Sequence, residues 1–152
     1  MKPNEQPMKY ESHIAKSTNN AANIYKVLSN LKNIERVQHL LPKDKVQEIE
    51  ICEDCVRLKI DGLGQKIGIV IADKKENDVV KYAVEDSPIS VTMWIQMKPI
   101  ALDDTRLKLT VDADIPFMFR MMLEKKLQTG LDQAADMLAQ FPFDEWEKGA
   151  AV

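Results

Sequence analysis

Between Val46 and Ala113 apolar residues return at every second position: Ile49, Ile51, Leu58, Ile60, Ile67, Ile69, Ile71, Val80, Tyr82, Val84, Leu107, Leu109 and Val111 alternate with polar partners. Successive side chains of an extended strand point to opposite faces, so this period predicts strands with one face in a core and the other in water. Turn-forming residues divide the run at Gly62-Leu63-Gly64, Glu76-Asn77-Asp78, Asp86-Ser87-Pro88 and Asp103-Asp104. The segment therefore reads as about six strands on hairpin-length connections, a mainly antiparallel sheet with one face that needs apolar cover.

The flanks supply that cover. Met8 to Lys16 has a strand-like mix and ends at Ser17-Thr18, residues that cap helix N-termini. Ala21, Ile24, Leu28 and Leu31, then Ile34, Val37, Leu40 and Leu41 before Pro42, recur at helical spacing and predict two short helices. At the other end Leu123, Leu127, Leu131, Ala134, Leu138 and Phe141 form the stripe of one long helix, with Pro116 suited to its first turn. The expected architecture is α+β, a curved, mainly antiparallel sheet of about seven strands wrapped on a long C-terminal helix, with two short helices after the first strand. One domain is expected over residues 8–143, with flexible tails at 1–7 and 144–152.

The 152 residues fit one domain with one core. Hydrophobic content of 45% beside 30% charged residues is that of a globular chain. The net charge of -3, with no basic cluster, argues against nucleic acid as a partner. The opening MKPNEQPMKYES lacks the apolar core of a signal peptide, and nowhere do roughly 18 apolar residues run together. The expectation is a cytoplasmic protein without stable membrane insertion.

Cys52 and Cys55 are the stretch that looks most like chemistry, because a C-x-x-C pair suits half a zinc site or thiol exchange. Pairing outward from Glu53-Asp54 sets Ile51 opposite Val56 and Ile49 opposite Leu58 on one face. On the other face it sets Glu50 opposite Arg57 and Glu48 opposite Lys59, joining unlike charges. This register predicts a hairpin with two reduced thiols at its tip. A redox pair favours a helix N-terminus instead, and zinc needs further ligands that His13 and His39 do not supply.

The order of elements resembles the START-like, helix-grip superfamily, which includes polyketide cyclases and lipid-transfer domains. More narrowly the chain is similar to small bacterial members, through YESHIAK, CVRLKIDGLGQKIGIVI, SVTMWIQMKPI and LQTGLDQAADMLAQF. The resemblance spans Met8 to about Phe143 and implies an apolar cavity between sheet and helix. Gly62-Leu63-Gly64 is shorter than the glycine-rich loop of the plant members, so no phosphate role carries over, and His13 and His39 do not match the iron site of related oxygenases. No cofactor and no metal is expected.

On that basis the cavity is expected to involve Leu58, Ile60, Ile69, Tyr82, Met93, Met97, Leu109, Met118, Arg120, Met122, Leu123 and Leu127. Met93, Met97, Met118, Met121 and Met122 are soft side chains that suit ligands of varied shape, and suit plain core filling equally. Helical spacing turns Arg120 toward the sheet, where it would anchor an anion, snorkel, or pair with Asp112 or Asp114. Tyr82, among apolar neighbours, would orient a ligand or bond a neighbour. Three functions stay open. The first is a non-enzymatic binder or carrier of a small hydrophobic molecule. The second is a cyclase- or hydrolase-type enzyme, against which stands the absence of an acid–base pair at inward positions. The third is a module whose protein partner docks on Phe117, Phe119 and Met122 at the start of the long helix.

Overall fold

A computed structural model of the protein describes residues 8–62 and 64–146. The chain opens with two short strands, β1 (Met8–Glu11) and β2 (Ala15–Ser17), both antiparallel to one late strand, β8 (Asp104–Ala113). The break between them is held by Ser12, whose N–H donates to the Leu109 carbonyl and whose hydroxyl accepts from the Leu109 N–H.

Helix α1 (Ala21–Leu28) follows, its N-terminus capped by the Asn20 side chain, which accepts from the Ala22 N–H at 3.0 Å. The expected second helix is a broken one. A turn at Leu31–Asn33, the short α2 (Ile34–Val37) and a turn at Gln38–Leu40 share its span. The meander then runs through β3 (Val46–Ile51), β4 (Cys55–Ile60), β5 (Lys66–Lys75), β6 (Val79–Glu85) and β7 (Val91–Ala101) into β8. These are the six strands that the alternation predicts. With β1 and β2 they form one antiparallel sheet of eight strands in the order β1-β8-β7-β6-β5-β4-β3, β2 also lying on β8. Gly62 and Gly64 adopt φ of 91° and 72° in the β4–β5 turn, a backbone that glycine takes without a Cβ clash. Leu63, the expected tail 1–7 and residues 147–152 of the expected tail 144–152 lie outside the described residues.

The β3–β4 hairpin has the predicted register at its tip, Ile51 opposite Val56 and Glu50 opposite Arg57. Farther from the tip it departs from the simple alternation. Glu48 takes a φ of 53°, a bulge intervenes, and Lys59 faces Gln47 rather than Glu48. The cysteines also differ from expectation. Cys52 and Cys55 are joined by a disulfide, not left as thiols. The tight turn brings their Cα atoms to 5.1 Å, inside the span a disulfide bridges.

The long helix α3 (Phe117–Gln140) packs across β8, β2 and β1, burying Leu131, Ala135 and Ala139. Its first turns carry no such face. Phe117, Met118, Phe119, Met121, Met122 and Leu123 stand exposed, Met121 at 90%.

The chain does not trail off at Asp144. It forms a last helical turn, α4 (Phe143–Trp146), in which Phe143 and Trp146 are buried. The reason is a polar staple. Asn19 donates to the Ser17 hydroxyl and the Phe141 carbonyl and accepts from the Asp144 N–H, while the Asp144 carboxylate accepts from Asn20 N–H and Asn23 Nδ2. Thr105, fully buried, donates to the Asn19 carbonyl. The bonds from Asn19, Asn20 and Asn23 tie the segment after β2 to the C-terminal end, and Thr105 ties it to the sheet.

Candidate functional site

An apolar cavity of about 340 Å³ lies where helical cover, sheet and chain end meet. The sheet provides its floor through Ile69 on β5, Tyr82 on β6, and Met93 and Ile95 on β7. Val27, Leu28, Leu31, Ile34 and Val37 form the helical wall, and Leu138, Phe141, Phe143 and Trp146 close it from the C-terminal side. Phe141 packs on Phe143 and on Trp146 with ring centroids 4.8 and 5.3 Å apart. Trp146 is held from both sides, its indole N–H donating to Asn33 Oδ1 at 3.0 Å and the Arg36 guanidinium stacked 3.5 Å from its ring centre.

The polar groups at this wall are satisfied by the protein itself. Tyr82, 6% exposed, donates its hydroxyl to the Leu28 carbonyl at the end of α1. Burial pushes its phenol well above the ordinary tyrosine value, so it stays protonated at neutral pH and serves as a donor. Asn33 Nδ2 donates to the Val27 and Asn30 carbonyls. Among the lining residues only Tyr82 titrates, and apart from the amides of Asn30 and Asn33 the lining is apolar. A larger groove of about 730 Å³ runs past Lys75, Glu76, Lys98, Arg106 and Lys108, charged chains that suit water better than a small apolar ligand.

Of the residues expected at the cavity from the sequence, Ile69, Tyr82 and Met93 line it. Leu58, Met97 and Leu109 are buried in the core, with Ile60 and Leu127 half-buried against it. Met118, Met122 and Leu123 are exposed on α3, away from this space. Arg120, half-buried, donates Nε to the Ile115 carbonyl at 2.9 Å and does not line the cavity. His39 is exposed.

The wall residues that the sequence did not single out had a signal. Leu28, Leu31, Ile34, Val37, Leu138 and Phe141 belong to the apolar stripes already noted, but a stripe does not say whether it meets a neighbour or a void. Trp146 gave none, since it follows the last periodic residue. The grouping of potential metal ligands among the described residues is Cys52, Asp54 and Cys55, where the disulfide occupies both sulfurs.

Sheet, helix and cavity invite comparison with solved structures. Norcoclaurine synthase from Thalictrum flavum superposes with a TM-score of 0.67 at 16% identity, covering 95% of this chain and 97% of that one. That synthase has also been solved in complex with dopamine and hydroxybenzaldehyde. The Zhui aromatase/cyclase from Streptomyces sp. R1128 gives 0.59 at 18% identity over 96% and 99% of the two chains. A START superfamily protein from Mycobacterium smegmatis gives 0.57 at 13% identity over 87% and 97%. The chain has the START-like helix-grip fold. No protein-family model matches it, and no curated protein matches it in sequence. At these identities the likeness is one of fold, and activity has to be argued from the cavity. Among the described residues no helix is long and apolar enough to cross a membrane.

Proposed function

We propose that the protein is a non-enzymatic binder of a small, uncharged, apolar molecule held between the sheet and the C-terminal segment. The observation that carries this reading is the cavity of about 340 Å³, whose wall is almost wholly apolar and whose one hydroxyl is already spent on Leu28. Its volume lies near the lower end of the roughly 300 to 1,000 Å³ common for small-molecule sites. A ligand of that kind gains its affinity by leaving water, with no charge to neutralise. Arg120 then has no part in anchoring it.

The solved relatives that hold or transform small molecules support a ligand here without naming it. An enzymatic reading asks for an acid or base at the wall, and a buried, protonated, hydrogen-bonded Tyr82 is a poor one. A protein-docking reading rests on one specific observation, the exposed Phe117, Met118, Met121 and Met122 at the start of α3.

Native mass spectrometry followed by organic extraction tests the binder. An apolar species is expected to travel with the protein, or a neutral dye such as N-phenylnaphthylamine to bind it. Met93→Trp, which fills the floor, is expected to weaken dye binding about tenfold or more while the thermal midpoint shifts by only a few degrees. A wild type that carries nothing and binds no dye rejects this reading.

A further inference from the structure

We propose that Cys52 and Cys55 are a thiol–disulfide couple that controls how firmly the cavity wall is held, so that occupancy of the cavity responds to redox state. The proposal deepens the binding reading above and rests on it. The disulfide closes a turn of sequence separation 3, in which the Cys52 N–H also donates to the Cys55 carbonyl at 2.8 Å. The two residues inside it, Glu53 and Asp54, are exposed, yet both of their carbonyls are bound to elements beyond the hairpin. Glu53 accepts from the Leu31 N–H at 2.8 Å, and Asp54 accepts from the Ile71 N–H at 3.0 Å.

One of these amides belongs to a residue that lines the cavity, and the other to a residue one strand away from the floor residue Tyr82. Leu31 is a buried wall residue at the start of the turn after α1. Ile71 lies directly across from Tyr82, whose hydroxyl holds the Leu28 carbonyl in the same helical wall. The tip thus clamps the helical wall at Leu31 to β5 beside the floor residue Tyr82, and the S–S bond fixes the backbone that makes both bonds. The two cysteines are half-buried and flank two exposed residues at the hairpin tip, a position from which a small thiol reaches the bond.

The exchange balances with a dithiol as reductant. One thiolate of the dithiol attacks a sulfur of the pair, the Cys52–Cys55 bond breaks, and a mixed disulfide forms. The second thiol of the dithiol then displaces the remaining cysteine. The protein gains two electrons and two protons as two thiols, and the dithiol leaves as its cyclic disulfide. A disulfide oxidant reverses the sequence.

The experiment compares oxidised protein with protein reduced by dithiothreitol, the two forms verified by mass after alkylation. In each form amide exchange is followed at Leu31 and Ile71, and N-phenylnaphthylamine is titrated. Reduction is expected to speed exchange at both amides about tenfold while that of Ile95 stays unchanged, and to weaken the dye about fivefold. Cys52→Ser/Cys55→Ser is expected to match the reduced form with or without reductant. Equal exchange in both forms overturns the clamp, as does a pair that dithiothreitol never opens. Faster exchange with unchanged dye affinity overturns its link to the cavity. Dye that binds neither form rejects the binding reading itself, which the exchange data then separate from a failure of the clamp.

Discussion

Two buried tyrosines show how much a single hydroxyl depends on its partner. Tyr82 donates to the Leu28 carbonyl, whereas Tyr10, 5% exposed, has no hydrogen-bond partner for its hydroxyl among the described residues. Tyr82→Phe is expected to destabilise by about 1 kcal/mol because it leaves a helix-end carbonyl unpaired, and Tyr10→Phe to be neutral or stabilising. Urea unfolding of the pair decides it, and equal losses would mean that ring packing, not the hydroxyl, is being read. His13 gives a pH signature. Its backbone N–H donates to Asp132 on α3, and its Nε2 lies 2.7 Å from Asp136 Oδ1. The Asp136 hydrogen bond, with the charges of Asp136 and Asp132, raises its pKa above the ordinary 6.5. Since the folded value exceeds the unfolded one, the stabilisation is complete below pH 6.5 and disappears as pH rises through the raised value. Wild type is therefore expected to exceed His13→Gln in thermal midpoint at about pH 5.5 and to lose that margin by about pH 8. A pH-independent margin contradicts this account. That Tyr82 bonds a neighbour was one of the two roles its place among apolar residues suggested, but the unpartnered hydroxyl of Tyr10 was not legible, and His13 carries no mark of the carboxylates that meet it from α3.

Individual elements were legible in proportion to the length of their pattern. The alternation from Val46 to Ala113 gave all six strands, and the tip register of β3–β4 followed from Glu50 facing Arg57. Glu48 escaped because a bulge in left-handed backbone obeys no side-chain period. The last element escaped for a different reason. Asp144 to Trp146 has no periodicity to read, and its place is set by Asn19, Asn20, Asn23 and Asn33, distant in sequence and individually unremarkable polar residues. Asp144→Ala removes the acceptor for Asn20 and Asn23 together and is expected to cost about 1 to 3 kcal/mol, or several degrees in thermal midpoint. A variant within half a degree of wild type would show that α4 is held by Phe143 and Trp146 alone.

For the whole molecule, the helix-grip architecture was readable from element order, since a half-apolar antiparallel sheet and one long amphipathic helix leave few ways to bury both. The position of the void was not. Void and packed core are lined by the same residue types, and only the meeting of α1, α2, the sheet and the chain end decides which stretch of floor stays uncovered. The sequence drew attention to Met93 and Met97 on β7 as well as to the methionines of α3; the structure sets the cavity beside Met93, with Leu31 and Trp146, and leaves Met118, Met121 and Met122 in water. The two places are separable by one measurement, a methyl NMR titration of the protein with N-phenylnaphthylamine. The account predicts shifts confined to Leu28, Leu31, Ile69, Met93 and Leu138. Shifts confined to Met118, Met121 and Met122 would contradict it and make the exposed start of α3 the functional surface.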